Sequence, residues 1–442
     1  MTQPSQSPAK DRILPLSCSV LLLVGGAVLM SANGNVSQVE TLHRFWVSSA
    51  IMGSGFVLSW RLQSLPTVWF WGVAIATRLL LLPMAPGDDV WRYLWEGLIQ
   101  THGFSPYSLA PNAPELAFLR TDWWSLINFP EVSAIYPPLT QFGFRLLATL
   151  SPNLYLFKLA FILPDLLVCW LLSRRFGNAP SALYAWNPMI IYAFAGGAHY
   201  DSWFILPLVV AWLGAEGKDS SPRPLSWLWS ALWIGVSMAV KWVSLPLMAF
   251  LMGRSLRQRK FGQMIGAGLA GLLPMVLFAL PFCSLKNCPL IPTESVFVAY
   301  GRSAEFLPHF LALVWPPSLK ANWIFGVPLA LYVLWLGWQT RRFQQFAEAY
   351  WFGLLLLTPI VHFWYFTWMV PFTVPSQNWG ARWVSLSAFV YFVLPSRVPD
   401  WRLTEWERLF LWLPFVAGWL WSAWQMTRDQ PQEARSELDT CL

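Results

Sequence analysis

Two adjacent carboxylates, Asp88 and Asp89, follow a strongly apolar stretch of the chain. Such a pair can perform acid–base chemistry, because a carboxylate held close to a hydroxyl group can accept its proton. The segment 86–153 contains four further acids, which are Glu96, Glu115, Asp122 and Glu131. Since the chain has only 22 acids in all, chemistry that needs carboxylates is predicted to lie in this segment.

The sequence from Gly87 to Gly103 has the period of an amphipathic helix. Asp88 stands at the N-cap position and Gly103 at the C-terminal stop. One face carries Trp91, Leu94, Trp95, Leu98 and Ile99, and another carries Asp89, Arg92, Tyr93, Glu96 and Gln100. We expect this helix to lie in a membrane interface. An alternative stays open, in which Asp88 only caps the helix and Asp89 only complements its dipole and pairs with Arg92.

The composition requires a membrane protein. Of the 442 residues only 12% are charged, whereas 56% are hydrophobic and 17% aromatic, which excludes an ordinary soluble enzyme and a disordered chain. The net charge of +7 comes from Lys and Arg residues that punctuate apolar segments, so nucleic acid is not an expected partner. Five scattered cysteines form no zinc pattern. Only Cys283 and Cys288 are close enough for a small disulfide.

Apolar stretches of about 20 residues, the length needed to cross a bilayer as a helix, recur along the sequence. The pattern predicts an all-α, polytopic transmembrane helical bundle of about 12 to 14 helices, some of them broken or tilted. The predicted spans are 13–32, 45–60, 67–85, 154–173, 180–196, 203–215, 226–240, 242–253, 261–282, 321–338, 347–361, 363–376, 383–396 and 406–426.

Basic residues predict the orientation of these spans through the positive-inside rule. With the amino terminus in the cytoplasm, the long segments 86–153 and 283–320 fall outside and a short tail, 427–442, falls inside. We expect one transmembrane module over 1–442, with 86–153 as an external catalytic loop and 283–320 as a second external loop.

Several motifs in this order resemble the GT-C glycosyltransferase superfamily. The motifs are GDDVWRYLWEGLIQTHGFSPYSLAP, SLINFPEVSAIYPPLTQ, Ala185–Pro188, Gly196–Asp201, Lys241–Trp242 and His362–Tyr365. The branch most similar to this chain contains the polyprenyl-phosphate-dependent hexosyl- and mannosyltransferases of bacteria. The resemblance extends from about residue 67 to 376, and it implies a plasma-membrane enzyme with an active site on the extracytoplasmic face.

The resemblance implies an inverting displacement in which an aspartate of the external loop deprotonates the acceptor while the polyprenyl phosphate leaves. We expect Asp89 to be the base and Asp88 to be the second choice. The other acid would hold a divalent ion (Mg or Mn) or only cap the helix. The lipid-linked sugar is the expected donor, and a lipid or glycan is the expected acceptor. The sugar, favoured to be mannose-like, the linkage and the length of the lipid are not specified by the sequence.

Substrate contacts are predicted in each motif. The candidates in and after the external helix are Arg92, Tyr93, Tyr107 and Tyr136, and those further along the chain are His199, Asp201, Lys241, Arg302, His362 and Tyr365. Lys241 interrupts a long apolar stretch, so it is either at a hairpin tip, facing the donor phosphate, or snorkelling to the interface. Asp201 could instead cap a helix, Arg302 could be an inactive loop residue, and His199 and His362 could be interfacial.

A transporter or flippase of a lipid-linked sugar or other amphipathic substrate is the alternative function. Lys241 and Asp165, both charged and in apolar stretches, would suit a transport path. No inverted repeat is visible, however, and the acids concentrate in one segment. A non-catalytic assembly factor is a weaker third possibility, because it would not need two acids beside aromatic and cationic residues.

Overall fold

The computed structural model describes residues 10–36, 38–216, 225–283, 288–291 and 299–428, with side chains from Leu14 onward. It confirms an all-α polytopic helical bundle. Most of the predicted tail 427–442 and parts of the predicted segment 283–320 lie outside the described residues.

The α-helices are labelled in chain order. They are α1 Lys10–Ser31, α2 Val39–Ser59, α3 Thr67–Leu81, α4 Asp89–Thr101, α5 Pro138–Leu150, α6 Leu154–Phe176, α7 Asn178–Ala185, α8 Pro188–Ile191, α9 Ser202–Ala215, α10 Ser226–Val240, α11 Leu245–Arg257, α12 Phe261–Ala279, α13 Leu307–Val314, α14 Gly326–Gln339, α15 Phe343–Leu357, α16 Val370–Thr373, α17 Trp379–Ser387 and α18 Glu405–Arg428. Helix α1 packs against α2 and α3, and α10 packs against α9 and α12.

Three stretches within the described residues are long and apolar enough to cross a membrane, namely Leu14–Ser31, Leu154–Phe176 and Phe261–Phe282. The apolar helices α3, α9 and α10 are shorter. The predicted spans 180–196 and 363–376 are not continuous α-helices. The first is α7, α8 and a π-helical turn, Tyr192–Gly196, and the second is a 3-10 helix, Phe363–Trp368, followed by α16. Pro188 and Pro371 stand where new helical segments begin, because proline cannot donate within a helix.

A buried ion pair joins two of the membrane helices. Arg78 of α3 contacts Asp165 of α6, with Nε and Oδ2 2.6 Å apart, and both side chains are fully buried. Arg78 also donates to the carbonyl of Ala185. Asp165 therefore has the structural role that a paired intramembrane charge allows, and it is not part of the predicted chemistry.

Helix α4 matches the predicted amphipathic helix. It buries Trp95 and Ile99 against Leu116 and Ile127 of the following loop, and Gly103 adopts a φ of +82° just beyond its end, where a residue other than glycine would be strained. Its start differs from the prediction. Asp88 occupies the N-cap position but has a helical backbone conformation, and its side chain makes no capping hydrogen bond. The interpretation of Asp88 as a cap is therefore wrong.

The predicted second external loop, 283–320, is described only in part. Cys283 and Cys288 are joined by a disulfide. Further along, Ser303 pairs with the chain around Ile360 in a short parallel bridge, with backbone hydrogen bonds from Ser303 to Pro359 and from Val361 to Ser303. The bridge attaches this segment beside His362.

Candidate active site

Asp89 lies at the start of α4 with three different elements around its carboxylate. Asn128 donates from its amide nitrogen to Oδ1 at 2.8 Å. Oδ2 lies 3.5 Å from the hydroxyl of Tyr93 and 3.7 Å from Nδ1 of His199. The side chain keeps 18% of its surface exposed. A carboxylate that is oriented on one oxygen and loosely contacted on the other can accept a proton from a bound hydroxyl.

Burial raises the pKa of both acids. The pKa of Asp89 is raised to about 7, chiefly by burial and then by the neighbouring charge of Asp88, although the hydrogen bond from Asn128 and the charge of Lys241 act in the opposite direction. The loss of solvation by the surrounding protein also raises the pKa of Asp88, although part of that residue stays accessible to solvent. A pKa near the working pH suits a general base.

Arg92 is buried in a network that shapes the loop opposite Asp89. Its guanidinium contacts Glu96, with Nε and Oε1 2.7 Å apart, and donates to the carbonyls of Asn128, Phe129, Val132 and Ser133. These bonds occupy its donors with protein atoms and fix the loop that carries Asn128. The geometry supports a positioning role for Arg92 rather than the predicted contact with substrate.

Lys241 and Asp201 form an ion pair at the mouth of the bundle. Nζ of Lys241 lies 2.6 Å from Oδ1 of Asp201, which is fully buried, whereas Lys241 is 14% exposed. Helix α10 ends at Val240, and Lys241 takes an extended conformation, as the predicted hairpin tip requires. Asp201 makes no helix-capping bond, so the capping interpretation of Asp201 is wrong. Its carboxylate also accepts from Trp368 Nε1 at 2.7 Å.

Aromatic rings surround the ammonium group of Lys241. Nζ lies 4.6 Å from the ring centre of Trp368, 5.1 Å from that of Tyr365 and 5.3 Å from that of Tyr200. Cation–π attraction of about 0.5 to 2 kcal/mol for each favourable contact offsets part of the cost of removing this charge from water. The sequence predicted Lys241 and Tyr365 separately, and the structure brings them together.

His199 and His362 both stack on the indole ring of Trp364. The ring centre of Trp364 is 3.6 Å from that of His199 and 4.6 Å from that of His362, with interplanar angles of 19° and 3°. His362 Nδ1 contacts the hydroxyl of Tyr391 at 2.7 Å. Burial, and then nearby positive charge, lower the pKa of both histidines, that of His362 to about 3. Both imidazoles are therefore neutral at physiological pH.

A group of aromatic rings forms the floor below Asp89. Tyr93 packs edge-on against Tyr136 and Tyr200, with ring centres 5.3 and 5.4 Å apart. The hydroxyl of Tyr107 donates to the backbone carbonyl of Tyr136 at 2.6 Å. Tyr93 and Tyr136 thus adjoin the carboxylate, whereas Tyr107 supports the loop.

Arg302 is beside the site without contacting its acids. Nη2 donates to the carbonyl of Ser318 at 2.7 Å, and the guanidinium lies 5.4 Å from the ring centre of Phe325. Nε and Nη1 are buried without a hydrogen-bond partner. The adjacent Ser303 is tied to the segment that carries His362, whereas the guanidinium of Arg302 is held by Ser318, so its contact with substrate stays a prediction.

The turn that carries Asp88 is held by two contacts that the sequence did not reveal. The backbone nitrogen of Gly87 donates to the carbonyl of Gly197 at 3.0 Å. Lys158 of α6, fully buried, donates to the carbonyls of Met84 at 2.7 Å and Leu82 at 3.0 Å. Other unpredicted residues at the site are Asn128, Trp364, Trp368 and Tyr391. Of these residues, Asn128 and Trp364 lie within sequence motifs named in the sequence analysis, and the others do not.

Lys158→Met is expected to lower kcat by about 10- to 100-fold while leaving the KM for acceptor nearly unchanged. Loss of the ammonium frees the carbonyls at 82–84, and a displacement of about 1 Å in a reacting group can cost this much. Steady-state kinetics of the purified protein would measure the effect. Lys158→Arg, which keeps a cation at that position, should recover part of kcat. A lower melting temperature with unchanged kcat would mean that Lys158 stabilises the fold only.

The described residues contain no cluster of three or more His, Cys, Asp or Glu side chains that could hold a metal ion. Mg²⁺ needs less from the protein when it also binds a substrate phosphate, because one or two carboxylates then suffice. Asp88 fits that smaller requirement, since it is exposed and has no capping bond.

The chain matches a known protein family. Residues 2–257 match the family model described as alpha-(1->6)-mannopyranosyltransferase, N-terminal domain. No curated protein and no solved structure matches the chain. The matched range contains Asp88, Asp89, Asp201 and Lys241, whereas His362 and its neighbours come from the remainder of the chain. The mannosyltransferase resemblance is confirmed. Since the match spans more than half of the chain, this membrane protein belongs to the alpha-(1->6)-mannopyranosyltransferase family and is a glycosyltransferase.

Proposed function

We propose that the protein transfers a mannose-like hexose from a polyprenyl-phosphate sugar to a lipid or glycan acceptor on the extracytoplasmic face of a bacterial plasma membrane. The observation that carries the proposal is the convergence of one carboxylate, Asp89, whose Oδ2 has only loose contacts, and one cation, Lys241, at the same end of the bundle. Lys241 is near enough to influence the charge of Asp89. A displacement at a sugar carbon needs both a base and a stabilised leaving group.

Asp89 acts as the general base in the proposed reaction. The acceptor hydroxyl approaches Oδ2, the oxygen that is not held by Asn128, and its proton passes to Asp89 as the acceptor oxygen attacks the anomeric carbon. His199, neutral and 3.7 Å away, is placed to orient the same hydroxyl. The acceptor oxygen forms the new bond on the face opposite the leaving phosphate, so inversion to an alpha linkage requires a beta-linked donor.

Lys241 stabilises the phosphate that leaves. The bond between the anomeric carbon and the phosphate oxygen breaks with its electron pair on the phosphate, and a cation fixed beforehand lowers the energy of that charge. The ion pair with Asp201 and the rings of Trp368 and Tyr365 hold the ammonium in place. The flat faces of nearby aromatic side chains suit the apolar face of a sugar ring.

A divalent ion, if the reaction uses one, would be shared between Asp88 and the donor phosphate. It would supply further neutralisation of the phosphate charge. Addition of Mn²⁺ or a chelator to the transfer assay tests this role of Asp88. If Asp88 holds no ion, neither addition should change the rate.

The transporter alternative loses one of its two supports. Asp165 is paired with Arg78 inside the bundle, where both charges are satisfied, so it offers no free site along a path. Lys241 remains, and its position beside Asp89 suits transfer as well as passage.

The decisive assay supplies the membrane-embedded protein with radiolabelled polyprenyl-phosphate mannose, glucose and arabinose. We expect label from the mannose donor to appear in an alpha-linked product. Movement of the intact labelled lipid across the bilayer without cleavage would favour the transporter.

The orientation of the site can be tested by cysteine labelling. Glu115→Cys replaces an exposed residue of the external loop, and Arg341→Cys replaces an exposed residue at the opposite end of the bundle. In a background that keeps only Cys283 and Cys288, an impermeant thiol reagent applied to intact cells should label the first variant and not the second. Labelling of the 103–130 region only from the cytoplasmic face would exclude an extracytoplasmic active site.

A further inference from the structure

Two connected clefts lie at the end of the bundle opposite the acids. Helix α3 begins at Thr67, close to them, and ends at Leu81, close to the turn that carries Asp88. Its 15 residues correspond to about 22 Å of helix. At the near end, Asn178 donates to Leu65 and Thr67, which joins the start of α7 to the start of α3. The clefts are therefore separate from the candidate active site.

The first cleft has a volume of about 310 Å³, and Trp60, Gln63, Pro180, Gln377 and Arg382 are among its lining residues. The second, of about 230 Å³, shares Gln377 and Arg382 with the first and adds polar side chains from the end of α18, Ser422 and Gln425. No Asp or Glu belongs to the lining of either cleft among the described residues. Arg382 is the charged residue common to both.

Arg382 is built into the cleft rather than extended into solvent. Only 8% of its surface is exposed. Nη2 donates to the side-chain oxygen of Gln377 at 2.6 Å, and the guanidinium lies 4.7 Å from the ring centre of Trp379 and 5.2 Å from that of Trp60. Nε has no hydrogen-bond partner, and Nε1 of Trp60 has none either. Both unpartnered atoms are donors.

A buried guanidinium with no acid beside it is costly unless an anion pairs with it. Its planar fork fits the oxygens of a phosphate with two parallel hydrogen bonds. Tryptophan side chains on either side are typical of the level where phospholipid phosphates lie. The amide of Gln63, which lines the same cleft, would bind a further phosphate oxygen, whereas the amide nitrogen of Gln377 already donates to the carbonyls of Pro180 and Val374.

We propose that this cleft is a binding site for a phosphate group, carried either by the head group of an anionic phospholipid or by a soluble phosphate. The site is independent of the transfer reaction, so the proposed function can fail while this site stands. Ser376 and Asn378 are turned away from the cleft's cation, because their side chains bond to Glu348. That leaves Arg382 as the group on which the phosphate would depend.

The test uses the full-length protein in neutral detergent and measures the binding of radiolabelled dihexanoylphosphatidylglycerol. We expect saturable binding that Arg382→Gln weakens by about tenfold or more, because a charge-assisted pair of hydrogen bonds is lost. Arg341→Gln is the matched control, since it removes the same charge from an exposed position at the same end of the bundle and should change the affinity by less than about twofold. Arg382→Lys keeps the charge but not the fork, and an intermediate affinity is expected.

Competition identifies the source of the phosphate. Displacement by phosphatidylglycerol but not by inorganic phosphate assigns the site to a lipid head group, and equal displacement by both assigns it to a soluble phosphate. Absence of saturable binding of either probe would overturn the proposal. Equal weakening by Arg341→Gln and Arg382→Gln would do so as well, because it would mean attraction to a basic surface. If Arg382→Gln does not fold, an unchanged affinity in Arg382→Lys decides against the site.

Discussion

Asp89→Asn is expected to reduce sugar transfer by about 10²- to 10⁴-fold, the usual contribution of a general base. The amide has the size of the carboxylate and keeps an oxygen that can accept from Asn128, so the start of α4 should stay in place. It cannot take the proton of the acceptor hydroxyl. Transfer of label from polyprenyl-phosphate mannose measures the loss, and the KM for donor should change little.

The same variant should be at least as stable as the wild type above neutral pH. The folded pKa of Asp89 is raised from 3.8 to about 7, so the stability linked to its proton is present at acidic pH and is lost as the pH rises through about 7. At pH 8 the carboxylate of Asp89 is ionised, which is unfavourable because it is buried and close to the charge of Asp88. The substitution removes that charge. Melting temperatures at about pH 5 and 8 would test the sign. The rate of the wild-type enzyme should fall as the pH drops below about 7.

Asp88→Asn is the matched comparison. The side chain of Asp88 makes no capping hydrogen bond, so helix α4 should not depend on its charge. A loss of transfer in the variant would therefore indicate that Asp88 binds an ion or takes part in catalysis. If Asp88→Asn is inactive and Asp89→Asn is fully active, the general base is Asp88 and not Asp89. Full activity of the double variant would eliminate the carboxylate mechanism and favour the transporter.

The elements that position Asp89 were predictable because they follow local patterns. The amphipathic period from Gly87 to Gly103 predicted α4 to within two residues at each end, and apolar runs predicted the spans at α1, α6 and α12. The cap failed for a local reason: Asp88 already has helical backbone angles, and its side chain makes no capping hydrogen bond.

Contacts between distant parts of the chain were not predictable from spacing. Asn128 reaches Asp89 across 39 residues, and Trp368 reaches Asp201 across 167. Such pairs depend on how α4, α9 and the 3-10 helix Phe363–Trp368 pack together. Arg92 shows the same limit, because its helical face was predicted correctly whereas its four carbonyl partners lie on a loop with no periodic pattern.

Lys241→Gln should lower kcat/KM for the lipid-linked donor by about 10²- to 10³-fold. That range corresponds to the removal of one preorganised donor from a developing oxyanion. Loss of the ammonium also leaves the buried carboxylate of Asp201 without its cation, which is destabilising by about 3 to 5 kcal/mol for a pair of this kind. The single variant therefore mixes two effects, and a lower melting temperature is expected beside the loss of rate.

The double variant Lys241→Gln with Asp201→Asn separates them. Both side chains become neutral and can still hydrogen-bond to each other, and the oxygen that accepts from Trp368 is kept. Stability should return most of the way to that of the wild type, because no buried charge is left unpaired. Transfer should stay low, because the donor phosphate still lacks its cation. Recovery of the rate together with stability would mean that Lys241 serves only to neutralise Asp201, and the leaving phosphate would then have to be stabilised by Arg302 or by an ion at Asp88.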